Sequence, residues 1–254
     1  MTVWNEGAFI YGDHVWAHSE WGEYDPNLMV SSNGQCSPYC TVKASTAPKP
    51  LQLRTWLQFN TTLVTSVPLN QAETIDVDTV LKLKSNDFAG VSYATSGPGD
   101  LRCDNGMLKG STNSGFVFSG TWPTLTFKKS ELPEITGHIS RAQSRGNPGA
   151  PPAGGVPGSP LTRLYDDADA EENRSDACSY LTDPRPPNSS CDEYPFAHTY
   201  EGAYTGGGDW MSDFSAEWAS QTEQDKQGGM IANLYRDERL LDADAFYVKA
   251  DLKS

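Results

Sequence analysis

The first half of the chain alternates apolar and polar positions in short runs. Residues 57–63 and 77–84 place Leu, Val, Phe or Thr at every second position, and residues 124–127 repeat the pattern. Alternation with a period of two is typical of strands that bury one face. We therefore predict that residues 1–135 form an all-β, sandwich-like domain.

A segment rich in glycine and proline interrupts this pattern. Residues 144–160 contain five glycines and five prolines, which are residues that do not continue a helix or a central strand. We predict a linker over residues 136–160. It would separate the β-rich domain from a second domain over residues 161–254.

The second domain has a mixed pattern. The middle of residues 160–178 has helical character, and residues 214–219 alternate as a strand. Residues 227–241 fit a helix that buries Met230, Ile231, Leu234 and Tyr235. The predicted fold class is therefore α+β.

Composition and charge exclude several classes of protein. The chain has 254 residues, 37% of them hydrophobic, and no apolar run long enough to span a bilayer. Its net charge is −14. Residues 1–135 contribute 9 − 13 = −4 and residues 136–254 contribute 10 − 20 = −10. A broad basic surface for nucleic acid is therefore not expected.

The cysteines are better suited to disulfides than to a zinc site, because none lies in a Cys-x-x-Cys pair. Cys178 and Cys191 are predicted to pair across a turn-rich loop of 13 residues (191 − 178). Cys36 and Cys40 either close on each other, leaving Cys103 unpaired, or one of them pairs with Cys103. The sequence does not choose between these alternatives.

The most informative segment begins at the last cysteine: Cys-Asp-Glu-Tyr-Pro-Phe-Ala over residues 191–197, then Thr-Tyr-Glu-Gly-Ala over residues 199–203. Asp192 and Glu193 are adjacent, so on a strand they point to opposite sides. One of them is therefore expected to carry chemistry while the other supports the structure. Taken alone, an Asp-Glu pair is more often a solvated acidic turn.

These motifs resemble the NucA/NucB-type deoxyribonuclease family of secreted bacterial nucleases. A second match follows over residues 223–242, Glu-Gln-Asp-Lys-Gln-Gly-Gly-Met-Ile-Ala-Asn-Leu-Tyr-Arg-Asp-Glu-Arg-Leu-Leu-Asp, and Phe-Tyr-Val-Lys follows at 246–249. The similarity covers residues ~155–252. It implies nothing about residues 1–135.

The resemblance implies a compact ββα-metal nuclease domain, in which a hairpin carries the general base and the following helix binds one divalent cation. By motif match the base is Asp192. Glu193 would support it, and Arg236 (alternatively Arg239) would bind the scissile phosphate. The cation, Mg²⁺ with Mn²⁺ as the alternative, would be bound by residues from the set Glu223, Gln224, Gln227 and Asn233.

The chain departs from the family pattern at two positions. Gln224 stands where members commonly have Asn, which keeps the amide oxygen on a longer side chain. His198 stands where a small hydroxyl residue is common. It could bind the metal, donate to a phosphate or lie at the surface, and we expect the last of these. The acidic balance predicts weak, salt-sensitive binding of DNA.

The resulting hypothesis is a secreted, metal-dependent, largely sequence-nonspecific endodeoxyribonuclease that acts on DNA as a scavenger or an antibacterial toxin. Its partners would be DNA and an inhibitor or carrier protein. The chain starts without a signal-peptide pattern, so we expect that signal to have been removed. The alternatives are a nuclease fold that has lost its activity, or a binding or adhesion protein that acts through the β domain.

Overall fold

The computed structural model describes residues 8–16, 27–52, 54–86, 90–96 and 100–254. The chain divides into two compact units, Met1–Thr121 and Trp122–Ser254. Strands and helices are both present, so the predicted α+β class is confirmed. None of the helices in the described ranges is long and apolar enough to cross a membrane.

The described residues of the first unit form strands arranged in two groups. In one group the order is β1-β5-β3, and in the other it is β4-β2-β6-β8-β9 with β7 paired to β6. The strands are β1 (Ala8–Trp16), β2 (Met29–Ser37), β3 (Cys40–Ser45), β4 (Lys49–Pro50), β5 (Trp56–Thr65), β6 (Gln71–Lys84), β7 (Val91–Ser96), β8 (Leu101–Asn105) and β9 (Ser114–Phe118).

The core of the first unit follows from the alternation in its sequence. In β6, Ile75 and Val77 are buried whereas Asp76 and Asp78 are exposed. Both groups of strands contribute to one apolar cluster, which also holds Leu63 of β5. Burying one side of each strand in this way is the main source of stability for such a unit.

The structure also decides the cysteine pairing that the sequence left open. Cys36 and Cys40 form a disulfide, and Cys103 is a free thiol in the core of the first unit. Burial raises the pKa of the Cys103 thiol to about 12. This thiol is therefore neutral and unreactive at physiological pH.

The second unit contains three helices and two groups of strands. In the first group, β14 is the central strand and pairs in parallel with β10 on one side and antiparallel with β11 on the other. The second group is a hairpin of β12 and β13. The elements are β10 (Thr124–Lys128), α1 (Pro133–Arg145), β11 (Leu161–Thr162), α2 (Asp167–Ser179), β12 (Ser189–Tyr194), β13 (Ser215–Ser220), α3 (Gln221–Asp237) and β14 (Ala245–Asp251).

The boundary between the units differs from the predicted one after residue 135, because β10 and α1 pack into the second unit. Ile135 and Ile139 of α1 lie in one core cluster with Phe127, Tyr194 and Phe246. Pro133 opens this helix, where its fixed backbone angle is favourable, and Gly146 ends it at φ 110°, a left-handed conformation. Residues 136–145 of the predicted linker thus belong to a packed helix.

The rest of the predicted linker is bonded to the second unit. The hydroxyl of Tyr194 donates to the carbonyl of Pro148 at 2.7 Å, and the N–H of Val248 donates to the carbonyl of Gly149 at 2.7 Å. Gly149 has φ 112°, and a Cβ there would collide with the Tyr194 hydroxyl. Glycine is therefore required where the chain passes close to the hairpin.

Candidate active site

The β12–β13 hairpin has two faces that meet different helices. Asp192 pairs with Glu217 across the ladder, and Ser215 lies on the same side. These side chains contact α1 or α3, so we call this side the α1/α3 face. Cys191 and Glu193 point the other way and contact α2, which defines the α2 face.

Asp192 is the most enclosed charged residue of the hairpin, with 1% of its surface exposed. Its Oδ2 lies 2.6 Å from Nδ1 of His138 on α1. Its Oδ1 accepts hydrogen bonds from Nε2 of Gln224 at 2.7 Å and from Nε2 of Gln227 at 3.0 Å. Two helices thus hold both oxygens of a buried carboxylate, which such a group needs in order to be stable away from water.

His138 is a site residue that sequence reasoning missed. It is 1% exposed, and its Nε2 lies 2.9 Å from Oγ of Ser215. The glycine and proline content downstream placed it in a predicted linker. One signal was available, since Ile135, Ile139 and Ala142 share one helical face with a histidine, and such a face is buried.

An ion pair between Arg141 and Glu217 lies on the same face as the buried pair of Asp192 and His138. Arg141 donates from Nε to Oε1 of Glu217 at 3.0 Å and makes a second, shorter contact through its terminal nitrogen. Desolvation raises the pKa of Glu217, but Arg141, His138 and Arg145 outweigh it and leave the pKa below its ordinary value. With side chains 54% and 32% exposed, Arg141 and Glu217 are the solvent-facing part of the α1/α3 face.

Glu193 belongs to the α2 face and does not meet Asp192. Its carboxylate lies 3.4 Å from Nε of Arg174, with 11% of the side chain exposed. Burial raises the pKa of Glu193, while the positive charge of Arg174 opposes that shift. The structure therefore pairs Glu193 with α2.

The predicted disulfide between Cys178 and Cys191 is confirmed, with 6.1 Å between the two Cα atoms. Together with Glu193 these sulfurs form the one group of three His, Cys, Asp or Glu ligand atoms that lie within 4.8 Å of one another in the described ranges. Cysteine binds metals as a thiolate, and a disulfide offers none. This cluster is therefore a crosslink and not a metal site.

Among the predicted metal ligands, Glu223 lies in the first turn of α3. Its Oε2 accepts from the backbone N–H groups of Glu134 and Ile135, at 3.0 and 3.1 Å, at the start of α1. Glu134 in return accepts from the N–H of Ser220 at 2.6 Å, at the start of α3. The two helices thus cap each other, which satisfies amide groups that have no partner within a helix.

The predicted residues further along α3 do not reach Asp192. Arg236 follows Gln227 by nine residues (236 − 227), which is ~14 Å along a helix axis. Its guanidinium is exposed and bonds to Asp237 and Asn233. Asn233 is exposed as well. Arg239 is fully buried. Arg236 and Asn233 are therefore not placed to contact a group bound at Asp192.

Asn173 explains part of the remaining motif. Its amide nitrogen donates to the carbonyls of Ala197 and Thr199, and its oxygen accepts from the N–H groups of Tyr204 and Thr205. A Cβ at Gly202 would collide with this amide. The Thr-Tyr-Glu-Gly-Ala motif therefore forms a loop around one buried asparagine.

His198, which we expected to lie at the surface, is partly exposed to solvent. Its side chain is 40% exposed, Nε2 lies 3.9 Å from a carboxylate oxygen of Asp167, and Nδ1 lies 3.3 Å from the carbonyl of Leu164. These are the contacts of a residue at the edge of α2.

Comparison with known protein families finds a match in the segment that contains the β12–β13 hairpin. The model of the family Deoxyribonuclease NucA/NucB matches residues 158–249, so the resemblance inferred from the motifs is confirmed. The matched segment contains α2, the hairpin and α3, whereas α1 with His138 lies before it. No curated protein and no solved structure matched the chain.

Proposed function

Since residues 158–249 match the Deoxyribonuclease NucA/NucB family, we propose that the chain is a metal-dependent endonuclease that hydrolyses DNA with little sequence preference. The observation that supports this most is the position of Asp192. It lies on a hairpin that leads directly into a helix, and side chains of that helix bind its carboxylate. This is the order of elements expected for a ββα-metal site.

In this proposal Asp192 is the general base, which orients and deprotonates the attacking water. Gln224, half-buried at the start of α3, covers Oδ1, whereas the buried Gln227 donates to the same oxygen from one turn further along the helix. Rotation of the Gln224 side chain would therefore open Oδ1 to a water molecule. The contacts to His138 and Gln227 would remain.

The chain offers one well-suited ligand for a divalent cation. Oε2 of Glu223 is fixed by two backbone N–H groups, and Oε1 makes no hydrogen bond to the described residues. A carboxylate oxygen oriented by its neighbours suits Mg²⁺ or Mn²⁺. Gln224 and Gln227 face Asp192 with their nitrogens, and in this arrangement they hold the base. We therefore assign the cation to Glu223.

When bound, such a cation polarises the phosphate and stabilises the leaving oxygen. The chain's own contribution to phosphate binding would come from Arg141, which is exposed on the α1/α3 face. A phosphate oxygen can replace Glu217 as its partner, because both accept charge-assisted hydrogen bonds from a guanidinium. Arg236, the predicted phosphate ligand, is too far along α3 for this role.

Binding through phosphate gives little sequence preference, because base edges carry the sequence information. The second unit holds 12 Lys+Arg and 22 Asp+Glu, so 12 − 22 = −10. DNA affinity is therefore expected to be low and to fall with salt. The two disulfides favour an oxidising compartment, and we place the activity outside the cell, in DNA scavenging or in attack on competitors.

A plasmid-nicking assay tests this function. The wild-type chain should convert supercoiled DNA to open circles with Mg²⁺ or Mn²⁺, should stop when EDTA is added, and should resume when the cation is restored in excess. Cleavage of a linear fragment at internal positions, without preference for its free ends, would establish endonucleolytic cutting. A folded chain that leaves the plasmid intact under every cation would favour the alternative of a nuclease fold without activity.

A further inference from the structure

We propose that His138 is a positioning residue for Asp192, an inference that rests on the proposed nuclease function. The two side chains are 1% and 2% exposed, and Nδ1 lies 2.6 Å from Oδ2. A contact this short between an imidazole and a carboxylate is a strong, charge-assisted hydrogen bond. It determines where the second oxygen, Oδ1, points.

Ser215 fixes the histidine in turn. Its Oγ lies 2.9 Å from Nε2, so both ring nitrogens have partners and the ring has one preferred orientation. Asp192 lies on β12, Ser215 on β13 and His138 on α1. The three side chains therefore tie both strands of the hairpin to one helix.

The order Asp192–His138–Ser215 is that of a hydrolytic triad, but the hydroxyl cannot serve as a nucleophile. Ser215 is fully buried, and its Oγ is directed at the ring. A triad nucleophile must be open to substrate. His138 itself is closed off by the same contact, so it acts through Asp192 and not on the substrate.

The arrangement separates the two oxygens of Asp192 by role. Oδ2 is bound by a buried ring whose other nitrogen contacts Ser215, whereas Oδ1 is bound by Gln227 and by the half-buried Gln224. Opening the site at Gln224 would leave the carboxylate anchored at Oδ2. Losing that anchor lets the carboxylate rotate, and a misplacement of ~1 Å at a reacting group costs ~100-fold in rate.

Two substitutions distinguish positioning from packing. The amide nitrogen of Asn can take the place of Nδ1, whereas the amide nitrogen of Gln takes the place of Nε2. We expect His138→Asn to keep kcat within about fivefold of wild type, and His138→Gln to lower kcat by about 10- to 100-fold with KM nearly unchanged. Rates are taken per folded molecule, with the folded fraction from thermal denaturation.

The matched control is Thr136→Val on the same helix. Thr136 is fully buried, and its Oγ1 has no hydrogen-bond partner in the described residues. This variant changes the polarity of a buried position on α1 without touching Asp192, and it should cleave as wild type does. If it loses activity as strongly as His138→Gln, the effect comes from α1 packing and the inference is wrong.

Other outcomes are equally decisive. If His138→Gln does not fold, Ser215→Ala takes its place, because it frees the ring and should lower kcat by a smaller factor with KM unchanged. Equal kcat per folded molecule for the Asn and Gln variants would overturn the positioning role while the nuclease function stands. A wild-type chain that does not cleave DNA under any cation would overturn the nuclease function, and this inference with it.

Discussion

Asp192 and Glu193 are neighbours in sequence, yet the two faces of the hairpin give them different surroundings. On the α1/α3 face, Asp192 is bound by His138 and by two glutamine amides. On the α2 face, Glu193 lies beside Arg174 and next to a disulfide. The first carboxylate has one half-buried partner, Gln224, that could give way to water, and the second is held between a disulfide and the guanidinium of Arg174.

This difference separates chemistry from support. A general base needs a path to water, and the half-buried Gln224 offers one on the α1/α3 face. On the α2 face, the cluster of Ala177, Ala203, Phe214 and Ala216 is apolar, and it packs beside Cys191. Such packing stabilises a fold, and Arg174 of this face is paired with Glu171 and Glu193.

The largest effect is expected for Asp192→Asn. The substitution keeps the shape but removes the charge and the proton-accepting oxygen, so cleavage should fall by ~10²–10⁴-fold. The new amide N–H also faces one of the three groups that donate to Asp192, namely His138, Gln224 or Gln227, and this loss of a hydrogen bond should cost ~1–3 kcal/mol of stability. Plasmid nicking and urea unfolding measure the two effects. The exposed Asp176→Asn is the matched control and should change neither.

Removal of the disulfide on the α2 face should be the next largest effect, and it concerns stability. Cys178→Ser with Cys191→Ser opens a loop of 13 residues and should cost ~3 kcal/mol. The double change at Cys36 and Cys40, which close a loop of only 4 residues, should cost ~2 kcal/mol. Calorimetry of the two variants gives the comparison. An equal or reversed order would contradict the loop-length argument.

Arg141 should affect DNA binding more than the reaction itself. Arg141→Ala removes one phosphate contact, so KM for DNA should rise about 5- to 10-fold and the slope of log affinity against log salt should fall by about 1. Glu217→Gln should tighten binding, because the competing partner of the arginine is gone. If Arg236→Ala weakens binding more than Arg141→Ala does, the phosphate contact lies at the far end of α3.

The smallest effect is a pH dependence at Glu193. Because burial raises its folded pKa above the ordinary value, the native state binds the proton more tightly than the unfolded chain does. Stability from this group is thus full below the unfolded pKa and declines as pH rises through the folded pKa. Glu193→Gln cannot ionise, so its melting temperature relative to wild type should be higher at pH 7.5 than at pH 4.5. A pH-independent difference would contradict this.

Local patterns predicted much of the fold. The alternation of apolar and polar residues located β5, β6, β10 and β13. The same period of two predicted that the side chains of Asp192 and Glu193 point to opposite sides of their strand. The helix predicted over residues 227–241 is observed at Gln221–Asp237, displaced toward the hairpin because it starts directly after β13. The spacing of Cys178 and Cys191 across a turn-rich segment predicted their disulfide, which is observed.

What the sequence could not supply depends on contacts between distant elements. His138 meets Asp192 from 54 residues away, and Glu223 meets the start of α1 from 89 residues away. Neither contact leaves a local pattern. The prolines after α1 extended the predicted linker over that helix. The separation of Gln227 and Arg236 follows from the predicted helix, but the sequence could not show that Asp192 meets α3 at Gln224 and Gln227, far from Arg236.

The most direct test of the difference between the two faces is the ratio of two single-turnover cleavage rates. Asp192→Asn and Glu193→Gln each replace one carboxylate by an amide, at adjacent positions of one strand. With excess enzyme and Mg²⁺, we expect Glu193→Gln to stay within about threefold of wild type per folded molecule, and Asp192→Asn to fall at least ~100-fold below it. Near wild-type cleavage by Asp192→Asn together with an inactive Glu193→Gln would place the chemistry on the α2 face and contradict the account.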